Sequence, residues 1–92
     1  MSIGAIEAER GFLDFEPEKA AYKRALLDRC RRVMMVADAS KFGRIGSAHL
    51  CGFEEVDDLI TDLPPSDAIA AMASAQKVRL VAGPRADEKT AK

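Results

Sequence analysis

Asp38, Ser40 and Lys41 follow directly on the apolar run Val33-Met34-Met35-Val36-Ala37, setting a carboxylate, a hydroxyl and an ammonium at the end of one element. Ligands of open α/β sheets bind outside the carboxyl ends of strands, in loops of this composition. Ser40 can donate a hydrogen bond there, and Lys41 offers a compact point charge suited to a phosphate group. The segment is a candidate anion site. Each residue also has a plainer reading: Asp38 as a carboxylate capping the turn through nearby backbone amides, Lys41 as a solvated lysine. Phe42 reads as packing, and Gly43 as a turn glycine at positive φ.

Other reactive side chains carry less. Asp57 and Asp58 invite a metal reading, but adjacent strand residues point to opposite faces and cannot share an ion. His49 has no acid–base partner near it in sequence and reads as structural. Cys30 and Cys51 form no secreted disulfide framework, and no His or Cys stands around them at zinc-site spacing. They are expected to be reduced, buried thiols of a cytoplasmic protein. No metal and no cofactor is expected.

The elements that must position these residues alternate. Residues 2–6 read as the end of a strand, beginning abruptly at Met1, and Glu7 to Asp14 as a connection turning at Gly11. Glu16-Pro17-Glu18 opens a helix, with proline at the first position and acid at the positive end. The spacing predicts that helix to about Arg31 or Arg32, burying Tyr22, Ala25, Leu26 and Cys30. Lys23, Arg24 and Asp28 lie away from that face, Arg24 pairing with Asp28. Arg29 falls on the apolar side, where it snorkels or meets a partner surface.

Met34 to Ala37 is too short for a helix and has no polar alternation, so it reads as a parallel strand covered on both faces. Short strands are expected at Ala48–Cys51, Asp58–Thr61 and Val78–Val81. Ser66 caps a helix through about Ala75, with Ile69, Met72 and Ala73 as its stripe. The expected fold is α/β, a largely parallel sheet with flanking helices. Residues 1–83 form the ordered portion, and 84–92 a disordered charged tail.

Ninety-two residues allow one small domain or a piece of a larger one. Fourteen basic residues against fifteen acidic ones lack the basic excess of a nucleic-acid-binding domain. No apolar stretch approaches the roughly 20 residues that span a bilayer. Residues 1–7 lack the basic and apolar regions of a signal peptide. A cytoplasmic chain with no membrane contact is expected.

Taken in order, the segments Asp38-Ala39-Ser40-Lys41-Phe42-Gly43-Arg44 and Val56-Asp57-Asp58-Leu59-Ile60-Thr61-Asp62 carry a specific likeness. The chain resembles the C-terminal sensor domain of DeoR-family bacterial transcriptional repressors, over about residues 2 to 82. Met34-Met35-Val36 and Pro64-Pro65 further resemble the glycerol-3-phosphate regulon repressor branch. The resemblance implies half of a domain related to ribose-phosphate isomerases. A Gly-rich phosphate loop and a helix-turn-helix would precede it, so that Met1 falls inside a domain. By the same resemblance, Lys41 contacts the phosphate or hydroxyls of a phosphorylated sugar or polyol, glycerol 3-phosphate being one candidate. Ser40 shapes the loop, Asp38 fixes the strand end or contacts effector hydroxyls, and Arg44 is a further phosphate contact. Thr61 and Asp62 line the pocket rim.

Three functions are in play. The first is the effector-sensing and oligomerising portion of a DeoR-type regulator, without catalysis and without DNA contact by this chain. Binding is expected to be weak without the Gly-rich loop. The second is a truncated interaction module that binds itself or full-length relatives without any ligand, through an unpaired strand edge and an uncovered apolar face. The third is a sugar-phosphate isomerase, which needs a general base against the substrate carbon. The residues that do this in isomerases lie in upstream motifs with no counterpart in this chain.

Overall fold

A computed structural model describes residues 1–43 and 48–83. Arg44 and the expected charged tail at 84–92 lie outside the described residues.

Two three-stranded sheets are formed. One is antiparallel, in the order β1 (Ala5–Glu7), β2 (Gly11–Asp14) and β4 (Ala48–Cys51). The other is parallel, in the order β3 (Met34–Ala37), β5 (Asp58–Thr61) and β6 (Arg79–Ala82). The α/β class holds, but the expected largely parallel sheet is corrected: half of the strands are antiparallel. The difference arises in Glu7–Asp14, which is no mere connection. It folds into a hairpin, with Gly11 at φ +84° and with Phe12 and Leu13 fully buried in the central strand.

Helix α1 spans Pro17–Leu27 and stops short of the expected Arg31. Arg29 and Cys30 follow in tight turns, their amides bonded to Leu26 O and Leu27 O. The chain leaves the helix because two contacts beyond it need extended backbone. Arg32 reaches Asp58, and the Val33 amide donates to Asp57 Oδ2 at 2.7 Å. The expected buried face is also corrected. Ala20 and Leu27 face inward, whereas Tyr22 is 67% exposed and Leu26 41%.

Charge pairing sets this rotation. Lys23 and Arg24 share the inward side, where Lys23 Nζ donates to Asp14 Oδ2 at 2.8 Å. Arg24 meets Glu55 at 2.5 Å, and also Asp28 at 2.9 Å as the spacing predicts. Cys30 is exposed, against expectation, while Cys51 is buried.

Helix α2 runs Asp67–Ala75 as its cap predicts, with Ser66 Oγ accepting from the Ile69 amide. Ile69 and Ala73 pack with Met35, Leu59 and Val78 in the core. The opposite face of the parallel sheet is open. Met34 and Val36 are exposed on β3, so that strand is covered on one face and not on both. Residues near the start tie the two sheets together: Ser2 pairs with Val36 and Ile6 with Phe42, both in parallel sense. Among the described residues no helix is long and apolar enough to cross a membrane.

Candidate functional site

β3 and β5 lie in parallel register, Ala37 beside Thr61, so both strands end at one level. Asp38 and Asp62 follow immediately. Ala39–Lys41 forms a short 3₁₀ turn capped by Asp38, whose Oδ1 accepts from the Ser40 amide at 2.9 Å and from the Ser40 hydroxyl. Asp62 Oδ1 accepts from two amides, Ala39 and Leu63, both at 2.8 Å. Thr61 Oγ1 donates to Leu63 O at 2.7 Å.

The plainer reading of Asp38 as a turn cap is therefore the observed one, and Asp62 acts alike from the neighbouring strand. One chemical consequence is sharp. The amides of Ala39, Ser40 and Lys41 are bonded to Asp62, Asp38 and the Asp38 carbonyl. This loop is not an amide cradle for an anion, unlike a phosphate-binding nest. An anion here would rest on the Lys41 ammonium, which makes no ion pair among the described residues.

An open cavity of about 470 Å³ sits at these strand ends. Asp38, Lys41, Thr61 and Asp62 line it together, as read from the sequence. Ser40 does not line it; its hydroxyl is turned to Asp38. The remaining walls, Ser2, Ile3, Val36, Ala37 and Ile60, were not anticipated. Val36 and Ile60 carried a usable signal, since strand periodicity puts residues two apart on one face. Ser2 and Ile3 carried none, because their place depends on pairing with a strand 34 positions further on.

Lys23 connects the helix to this wall. Its ammonium donates to the Ser2 carbonyl at 2.8 Å as well as to Asp14. Burial works against the Asp14 carboxylate, but hydrogen bonds from Lys23 and the Phe15 amide outweigh it and hold its pKa below the ordinary range. At the far end of the parallel sheet, Asp58 is fully buried and accepts from two arginines. Arg32 donates through Nε at 2.8 Å and Nη2 at 2.9 Å, and Arg79 through Nε at 2.7 Å. That cluster stands at the strands' opposite ends from the cavity and fixes β3, β5 and β6 in register. Among the described residues no group of three or more His, Cys, Asp or Glu could hold a metal ion.

Residues 1–63 match the family described as the DeoR C terminal sensor domain, a stretch that contains every residue lining the cavity. The chain is 30% identical over 80 residues to the glycerol-3-phosphate regulon repressor of Escherichia coli K12, covering 87% of this chain and 32% of that protein. It is 34% identical over 82 residues to the protein of the same name from Haemophilus influenzae, covering 88% and 31%. The HTH-type transcriptional regulator GlpR of Haloferax volcanii is 31% identical over 62 residues, covering 67% and 24%. The chain thus spans about a third of the length of the first two relatives.

Proposed function

The chain belongs to the DeoR C-terminal sensor domain family, and from that premise we propose that it is the effector-sensing portion of a transcriptional regulator. Its effector is a phosphorylated sugar or polyol, held in the strand-end cavity. The observation that carries the reading is the convergence of Lys41, Asp38 and Asp62 on one cavity. An ammonium makes a charge-assisted bond to a phosphate, and carboxylates accept from hydroxyls. Ser40 serves the site indirectly, by bracing Asp38.

One ammonium beside two carboxylates does not neutralise a phosphate dianion. This part of the pocket suits the hydroxyl-bearing end of the ligand, with Lys41 at the junction to the phosphate. Further cations, Arg44 among them, would complete the phosphate contact, so binding by this chain is weak. The reading involves no catalytic step and no DNA contact by these residues, and it places the chain in the cytoplasm, where metabolites of this class are made.

Two of the similar proteins are named as repressors of a glycerol-3-phosphate regulon, which makes glycerol 3-phosphate the first ligand to test. Calorimetric titration with glycerol 3-phosphate, glycerol and hexose phosphates tests the reading. Heat with a phosphorylated ligand, absent with glycerol and absent in Lys41→Ala, supports it. Equal heats for wild type and Lys41→Ala would sink it.

A second reading, association without ligand, is favoured by the exposed Met34, Val36 and Val81 on the open face of the parallel sheet. It expects self-association and no heat with any of these ligands.

A further inference from the structure

Helix α1 has two sides that the sequence does not advertise. Its inward side is tied down by Lys23 and Arg24 to Asp14 and Glu55. Its outward side carries Glu18, Tyr22, Ala25 and Arg29, all exposed. The intervals of four, three and four residues put them on one face. Arg29 extends that face from the turn beyond the helix, its amide bonded to Leu26 O. Leu26, 41% exposed, flanks Tyr22, which is 67% exposed. Glu18 and Arg29 make no ion pair among the described residues.

The intervals read the same in both directions. Reflection about the point between Lys23 and Arg24 exchanges Glu18 with Arg29 and Tyr22 with Ala25. We propose that α1 is a self-association surface whose occupant is α1 of a second copy of this chain, packed antiparallel about a two-fold axis at that point. Glu18 then meets Arg29 of the partner subunit at both ends. Tyr22 lies over Ala25 of the partner subunit, large against small, and Leu26 flanks Tyr22 of the partner subunit. A parallel pairing would oppose Glu18 to Glu18 and Arg29 to Arg29, so like charges exclude it. Such an interface is isologous and closes as a dimer. With α1 only 11 residues long, the contact is small and the dimer weak and reversible.

The proposal rests on the association reading and not on effector binding; its test needs no ligand, so the two can fail separately. Sedimentation velocity over a concentration series would compare wild type, Glu18→Arg, Arg29→Glu, an equimolar mixture of the two variants, and Val81→Lys. The wild type is expected to dimerise, and each charge variant alone to dissociate about ten-fold more readily, two attractive pairs having become two repulsive ones. The mixture should restore a heterodimer. At one end the introduced arginine then faces the introduced glutamate, and at the other the retained Arg29 faces the retained Glu18. Misfolding could not produce that rescue. A monomeric wild type, charge variants that associate as well as wild type, or a mixture no better than its components would overturn the proposal. So would dispersal by Val81→Lys alone, which would move the contact to the open sheet face.

Discussion

Asp62 Oδ1 accepts from the Ala39 amide at 2.8 Å, so the end of one strand holds the first residue of the turn that follows its neighbour. The same oxygen takes the Leu63 amide. Asp62→Ala would release both amides to water, and Asp62→Asn would keep an acceptor in place. The alanine variant is expected to lose about 1 kcal/mol of stability, since both groups can be rehydrated at this exposed position. The asparagine variant should lose less. Urea unfolding of the three proteins checks the order; equal midpoints would mean that the bridge contributes nothing.

Lys41 should behave in the opposite way. No other charge among the described residues depends on it, so Lys41→Ala is expected to leave the unfolding midpoint within error. Binding of a phosphorylated polyol should weaken by about ten-fold to a hundred-fold, the worth of a hydrogen bond to a charged group. Melting curves and calorimetry on one sample separate the two effects. A large fall in melting temperature would show the lysine to be structural.

Where the signals were local, the sequence was legible. Ser66 with Asp67 marked the start of α2, and the short apolar runs marked β3, β4 and β5 within their observed bounds. Asp38, Lys41, Thr61 and Asp62 were grouped because each stands at a strand end, and parallel register brings those ends together. What stayed hidden depends on distant partners. Lys23 and Arg24 face inward because Asp14 and Glu55 wait there, and Glu55 lies 31 positions along the chain. Helical periodicity saw only that both were charged and turned them outward. The hairpin was missed because Glu9 and Arg10 disguised a turn between two buried strands.

Gly11 is the residue on which that hairpin depends. Its φ is +84°, and a Cβ there would lie 2.6 Å from the Cys51 carbonyl oxygen of the neighbouring strand. Left-handed backbone costs an L-residue roughly 1–2 kcal/mol, and the clash with backbone adds to that. Gly11→Ala is therefore expected to lower the melting temperature by about 10 °C or more. Gly43 is also at positive φ, but a Cβ there would meet nothing within 4 Å. Gly43→Ala should cost less, and scanning calorimetry of the pair would show whether the contact with Cys51 accounts for the difference.

The two cysteines should separate cleanly by reactivity. Burial, reinforced by the nearby Glu55 carboxylate, pushes the Cys51 thiol up to about 12. It stays protonated at pH 8, and thiolates are the reactive form. Cys30 is exposed. An aromatic disulfide reagent at pH 8 is expected to modify one thiol per chain quickly in the native protein and two in urea. Rapid modification of both under native conditions would place β4 in an opening equilibrium rather than in a stable sheet.

Acid should act on the fold through Asp58. Hydrogen bonds from Arg32 and then Arg79 outweigh its desolvation and hold its pKa below the ordinary 3.8. As pH falls, the unfolded chain takes up the proton first, so protonation favours unfolding. The stabilisation is complete above about pH 4 and is lost as pH drops through the lowered folded-state value. Asp14, lowered for its own reasons, contributes in the same sense. Asp58→Asn removes the titration and leaves two guanidiniums without their carboxylate. The variant should therefore melt below wild type at pH 7, with the gap narrowing as both are taken toward pH 2. A gap that stays constant across that range would mean that Asp58 holds β3, β5 and β6 together by shape and hydrogen bonding alone, without its charge.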